Sequence, residues 1–383
     1  MPSRPIRTPF APLRRLVILR DRPRNRLYSR YHRSVTQCRT AAPAVPDTVH
    51  GIPVAAVLRR YQDVIAISAE RVSQGLLNRA LRITGPAGGY FLKQYRDDAK
   101  HSSGGAIAAQ HRAVAGLRDL GLPTVPPLGA LDGRTVVLLR GRRYALFPWV
   151  EGEHRAGTAL DREQCSALGA LLGRMHSALA ELHPPVPQPQ ALPGADPAQT
   201  RRTVADLLAL ARERTPQEPL DALARRRLRE RLELLDAYGH RRPAPDAAPP
   251  VGWVHGDFHP LNVLYRGSEA AAVVDWDRLS VRPRTEEAVR AATLFFHHPD
   301  TGVLDLPRLR RYARAYREAS GSTPEQVAAG VHRVWWERLN DFWMLRWRYQ
   351  RRDLRADPLF PAASAQIAWW CEEYEQVLDA CVN

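Results

Sequence analysis

The chain has 383 residues, 44% of them hydrophobic, and a formal charge of +16 from 56 basic and 40 acidic residues. That length exceeds one minimal domain and suits a two-lobed enzyme or two modest domains with a sizeable core. No run approaches roughly 18 consecutive apolar residues, which excludes a transmembrane helix and any expectation of membrane insertion.

Residues 1–50 hold eleven arginines against two acidic residues and read as a basic, poorly ordered arm broken by prolines. Such a cluster is open to nucleic-acid or anionic-membrane contact, to a transit peptide, or to a tolerated extension with no role. Lys93 and Lys100 are the only lysines; the other 54 basic residues are arginine, a skew that reads as a coding bias and makes each lysine informative. Cys38, Cys165, Cys371 and Cys381 form no CxxC pair, as expected for free thiols in the cytoplasm.

Residues 51–150 read as a small β-rich lobe. LNRALRIT and YFLKQY are strands of a hairpin turned at Gly85–Gly89; AIAAQHRAVAGLRDLGL has helical periodicity; TVVLL and RYALFPWV are two more strands around Asp132-Gly133. Residues 151–383 read as a larger helical lobe. A helix over 161–182 precedes the proline-rich loop 183–198; a second helix spans 202–238; two short apolar strands flank HGDFHPLN; helices run from 284 to the end. The predicted class is α+β with two lobes.

HGDFHPLN at 255–262 carries the chemistry. Asp257 and Asn262 lie five apart in a loop between strands, and Asp275 ends the second strand. Phosphoryl transfer needs a carboxylate to orient the acceptor hydroxyl, and an amide oxygen and a second carboxylate to hold Mg²⁺ against the phosphates. Asp277 either faces the same cleft or binds an arginine. Two other readings stand beside this one: turn chemistry alone, or a metal hydrolase using His255, His259 and Asp275. Lys93 shares a strand face with Phe91 and Tyr95, where an ammonium is costly unless it meets an anion such as an ATP phosphate.

With these residues the chain resembles the aminoglycoside phosphotransferase and choline kinase superfamily, small-molecule relatives of protein kinases. HGDFHPLN resembles its catalytic loop and VVDWD its metal-aspartate segment; VSQGLLNRALRI resembles the nucleotide-covering turn through Gly75 and Asn78, FLKQY the lysine strand, ALFPWVEGEH the interlobe linker, and LGALLGRMHSAL, with His176, the helix before the loop. The resemblance covers about residues 55–300. It implies a protein-kinase-like fold and an enzyme using ATP and Mg²⁺, with Asp257 as base, Asn262 and Asp275 as metal ligands, Lys93 on the α- and β-phosphates, adenine against Phe147 to Val150, and His255 and His259 bracing the loop.

Two departures stand out. The family's helix glutamate that pairs with the lysine is absent: Gln110 stands at the matching position, able to hydrogen-bond Lys93 without supplying charge, and Asp97 or Asp98 is the alternative partner. After Asp275 the chain reads DRLSVRPRTEEAVR, so Arg278, Arg282 and Arg284 either face the cleft, favouring an acidic acceptor, or pair with Glu286 and Glu287 at the surface. Trp336, Asn340, Trp343 and Trp347 fall at helical spacing and read as one helix face that partly walls the acceptor site. The function expected is transfer of phosphate to a hydroxyl of a small metabolite or antibiotic, such as a sugar, amino alcohol or nucleoside. The alternatives are a protein or peptide kinase and a non-catalytic, pseudokinase-like binding protein. Oligomeric state is not legible in the sequence.

Overall fold

Strand pairing organises the first lobe in the computed structural model, which describes residues 46–72, 78–96 and 103–383. Gly75, Asp97, Asp98, Lys100 and the arm to residue 45 lie outside the described residues. A short helix, α1 (Val54–Leu58), precedes β1 (Ser68–Arg71), β2 (Arg79–Gly85) and β3 (Gly88–Gln94); α2 (Gly104–Asp119) then leads to β4 (Val137–Leu139) and β5 (Arg142–Pro148). The strands form one antiparallel sheet in the order β1-β2-β3-β5-β4.

Alternation along the strands gives the sheet two faces. Leu81, Ile83, Leu92 and Leu146 pack with Val54 and Val57 of α1 on one. Lys93 stands opposite Ala145 in register, on the face where Tyr95, Ala145 and Ile107 of α2 cluster. Strand β1, SAER, has no apolar run to announce it and forms by pairing at the sheet edge. The β4–β5 turn lies at Arg140-Gly141 and not at Asp132-Gly133. Both turn residues sit at positive φ, 49° and 73°, as a two-residue hairpin turn following the strand twist requires.

The second lobe opens with α3 (Arg162–Leu182), started by a capping box: Gln164 N donates to Asp161 Oδ1 at 2.7 Å and Asp161 N to Gln164 Oε1 at 3.0 Å. The helix expected over 202–238 is two helices, α4 (Pro197–Glu213) and α5 (Pro219–Tyr238). Pro216 lies between them, and proline both lacks the amide donor and drives its predecessor out of helical geometry.

Next come β6 (Val251–Val254), β7 (Val263–Arg266), β8 (Glu269–Val273) and β9 (Ser280–Pro283), then α6 (Arg284–Phe295), α7 (Leu306–Ser320), α8 (Pro324–Asn340), α9 (Trp343–Gln350), α10 (Phe360–Glu372) and α11 (Tyr374–Val382). β6 pairs with β9 and β7 with β8, both antiparallel. The tryptophan stripe is not one helix. Asp341, at φ −101° and ψ 134°, ends α8, and its Oδ1 accepts from Trp343 N at 3.0 Å to start α9. Leu168, Leu172 and Met175 of α3 share the main core with Phe295, Tyr312, Trp335 and Trp370. The result is two lobes, a β-sheet lobe and a helical one. Among the described residues no helix is long and apolar enough to cross a membrane.

Candidate active site

Loop 255–262 joins β6 to β7, and its shape comes from buried polar groups. His255 is fully buried; its Nδ1 accepts from Asp257 N at 3.1 Å and its Nε2 donates to Val274 O at 3.0 Å. That pattern defines a neutral imidazole, and burial lowers its pKa. Both ring nitrogens are engaged, so His255 is not free to ligate a metal and the hydrolase reading fails.

Glu287 of α6, also buried, accepts from His255 N (2.9 Å), Gly256 N and His176 Nε2 (2.9 Å). Burial alone would raise its pKa; the His176 hydrogen bond and charge outweigh that and hold it lowered. His176 in turn meets Tyr316 Oη at 3.1 Å. Glu287 is therefore an internal brace of the loop and not a surface partner for arginines. Gly256, at φ +84°, is required here: a Cβ would lie 2.1 Å from Arg278 O.

The loop presents Asp257 and Asn262. Asn262 Nδ2 donates to Asp257 O at 2.8 Å and lies 3.1 Å from His259 Nε2, which leaves its Oδ1 as a free acceptor. Asp257 Oδ1 accepts from Arg290 Nη2 at 3.1 Å, and its Oδ2 lies 3.7 Å from both Arg278 Nε and His259 Nε2. Burial alone would raise the Asp257 pKa. His259, Arg278 and Arg290 overcome it and keep the carboxyl well below the usual carboxylate range.

Asp275 lies two residues beyond β8 at φ +63°, a left-handed conformation that aspartate and asparagine adopt more readily than other non-glycine residues. It aims Oδ1 at Lys93 Nζ, 2.7 Å away. Asp277 Oδ1 accepts from the same ammonium at 2.7 Å, and Asp277 Oδ2 accepts from Asn78 Nδ2 at 2.7 Å. Burial of Lys93 would lower its pKa, but the two carboxylates reverse the sign and keep it charged. Gln110 does not reach Lys93: its Nε2 donates to Asp277 O at 2.9 Å. Among the described residues the lysine's counter-ions are thus Asp275 and Asp277, from the other lobe.

Phe147 of β5 sits edge-on to Phe91 at 6.3 Å and to His111 at 5.7 Å, on the Lys93 face of the sheet, with Val150 half-buried just beyond. Of the three expected arginines, Arg278 turns to Asp257, while Arg282 is exposed and Arg284 packs its side chain on Gly252; Glu286 pairs with Arg333. Sequence reasoning missed Arg290, which reaches Asp257 from a turn within α6. The signal available for it was one more arginine in an arginine-rich chain.

The chain matches the phosphotransferase enzyme family (APH) over residues 68–321 and belongs to that family. Among curated proteins it is similar to a homoserine kinase of Beijerinckia indica subsp. indica, 28% identical over 210 residues, 55% of this chain and 59% of that protein, so less than two thirds of that relative is spanned. It is also similar to a homoserine kinase of Janthinobacterium sp. (strain Marseille), 22% identical over 288 residues, 73% of this chain and 83% of that one. Among solved structures it resembles spectinomycin phosphotransferase in complex with ADP and spectinomycin, with a TM-score of 0.58 at 16% identity, covering 84% of this chain and 98% of the other. That likeness is one of fold, the two-lobed protein-kinase-like architecture.

Proposed function

We propose that the chain transfers the γ-phosphoryl group of ATP to a hydroxyl of a small molecule in the cytoplasm. The observation that carries this reading is the convergence of Asp257, Asn262, Asp275 and Lys93 where the two lobes meet. Asp257 orients the acceptor hydroxyl and receives its proton. A carboxylate of depressed pKa suits a loose transition state, in which the proton leaves late. Lys93 has three N–H donors; two are held by Asp275 and Asp277, and the third is left for a phosphate oxygen.

The oxygen set fits Mg²⁺. Asp275 and the free Oδ1 of Asn262 are hard donors, and among the described residues no group of three or more His, Cys, Asp or Glu side chains forms a cage of its own. Mg²⁺ is commonly held in this way, by one or two protein oxygens with water and phosphates. When bound, it would neutralise charge on the transferring phosphate. Phe147 and Val150 would border the adenine, and Asn78 the phosphates. The names of the curated relatives favour a hydroxylated amino acid as acceptor. The test is Mg·ATP binding by calorimetry together with ADP release across hydroxy amino acids, amino alcohols, sugars and aminocyclitols. Binding with acceptor-dependent release is expected. ATP binding without release for any acceptor would favour a binding protein, and no ATP binding at all would end the kinase reading.

A further inference from the structure

Arg290 leads from Asp257 to a second charged feature. One turn along α6, Thr293 O accepts from Gln366 Nε2 at 3.0 Å, which ties α6 to α10. Gln366 lines a cavity with Arg231, Arg338, Asp341 and Trp343, among α5, α8, α9 and α10. Arg338 itself is half-buried, and its Nη2 is enclosed with no hydrogen-bond partner. Its neighbours do not supply one. Arg231 is spent on the carbonyls of Arg338 and Leu339, at 2.8 and 2.7 Å. Asp341 pulls on Arg338 electrostatically but makes no ion pair with it, and one of its oxygens is tied to Trp343 N. Burial first, and then the nearby Arg290 charge, both disfavour the charged form of Arg338, yet a guanidinium does not give up its proton in a protein. A partly desolvated cation beside a second cation is costly unless an anion arrives.

We propose, resting on the kinase reading above, that the acceptor carries a carboxylate and that Arg338 receives it, with the hydroxyl end directed at Asp257. A carboxylate fits better than a phosphate by charge. Arg290 is already neutralised by Asp257 at 3.1 Å, so Arg338 offers one uncompensated positive charge, whereas a phosphate monoester brings about −1.5 to −2 at neutral pH. The planar fork of the guanidinium also matches two carboxylate oxygens at once. The same charge works against polycationic acceptors, which would approach Arg338, Arg290 and Arg278 together.

The test compares serine, threonine, homoserine and glycerate with their carboxamides, and with glycerol 3-phosphate, choline and spectinomycin, by ADP release and by calorimetry on the full chain. The acid should be preferred over its amide by about tenfold or more in kcat/KM, the usual size of a lost charged hydrogen bond. Arg338→Met should erase that preference through the acceptor KM, leaving KM for ATP unchanged, and Arg338→Lys should recover part of it. The folded state should survive, since the Arg338 guanidinium makes no ion pair for the substitution to break; melting temperature checks this. Equal use of acid and amide by the unaltered protein, or a preference for the phosphate-bearing or cationic compounds, would overturn the carboxylate site. So would normal Mg·ATP binding with neither binding nor turnover of any acid. Failure to bind Mg·ATP would instead strike the kinase reading itself.

Discussion

Lys93 and Asp277 are 184 positions apart in the chain and 2.7 Å apart in the fold. In this family a glutamate on the first-lobe helix is expected to meet that lysine. Here α2 contributes no charge, and the loop after β8 supplies two carboxylates. Asp277 also accepts from Asn78 and, through its carbonyl, from Gln110. One residue thus ties Asn78, the sheet and α2 to the second lobe.

If Asp277 is the working counter-ion, Asp277→Asn should raise KM for ATP by about tenfold, the order of one lost charge-assisted bond, and affect kcat less. Gln110→Glu should also weaken ATP use, because it sets a carboxylate against the Asp277 carbonyl in place of a donor. Steady-state kinetics in ATP decide the matter. Tighter ATP binding in Gln110→Glu would mean that position 110 pairs with Lys93 after all.

Asp257→Asn keeps the shape of the loop but removes the proposed base. The rate should fall by about 10²–10⁴, as for loss of general base catalysis, while Mg·ATP still binds. Asp275→Asn should reduce Mg²⁺-dependent ATP binding as well as turnover, and Asn262→Ala should do the same more mildly, because a neutral ligand is lost. Calorimetry beside kcat separates the roles. Binding lost in Asp257→Asn but kept in Asp275→Asn would reverse them.

Glu287 holds the HGD backbone and His176 through three donors inside the protein. Glu287→Ala leaves those donors buried and unsatisfied and should cost on the order of 3 kcal/mol of stability. Chemical denaturation measures this directly. An unchanged midpoint with full activity would remove Glu287 from the site's support.

Stability should decline in acid in two stages. The pKa of His255 is lowered by burial from its ordinary 6.5, and that of His111 is pushed to about 4 by burial and then by Lys93. Below pH 6.5 the unfolded chain therefore binds protons that these folded histidines refuse, and stability falls as pH drops. Glu287, lowered from 4.5, adds a second loss below that value, because its contribution is complete above the unfolded pKa and disappears as pH falls through the folded one. Melting temperature from pH 8 to 3 should follow this course, and Glu287→Gln should flatten the lower limb. A melting temperature independent of pH between 6.5 and 4 would contradict the neutral, buried histidines.

Far from the site, Arg348 is buried against Asp221, with Nε at 3.0 Å and Nη2 at 2.9 Å from Asp221 Oδ1, and Tyr349 Oη donates to the same oxygen at 2.8 Å. Arg348 also meets Glu218 Oε2 at 2.8 Å and pairs with Asp357, while Asp221 keeps Arg214 at 3.4 Å and accepts from Glu218 N at 2.7 Å. Arg348→Ala removes the cation shared by three carboxylates and should destabilise by about 3 kcal/mol, the order for removing one partner of a buried charge pair. Chemical denaturation measures this, and an unchanged midpoint would mean that the network adds nothing to the fold.

Asp257, Asn262, Asp275 and Lys93 stand out in the sequence because each lies in a short local pattern: a loop between two apolar strands, a strand end, a lone lysine in an apolar strand. The two lobes were legible for the same reason, since hydrophobic period and proline or glycine punctuation are local properties of the chain. The single helix expected over 202–238 failed at Pro216, and the tryptophan face failed at Asp341, where extended backbone ends α8 and interrupts the helical spacing. The partners of the charges were decided by tertiary structure alone. Asp277 on Lys93, Glu287 under His255 and His176, and Arg290 on Asp257 join residues whose sequence neighbourhoods record nothing of each other. An ion pair depends on the distance and burial of two groups in space, and in a chain this rich in arginine only folding determines which of the many candidate cations is left without an anion.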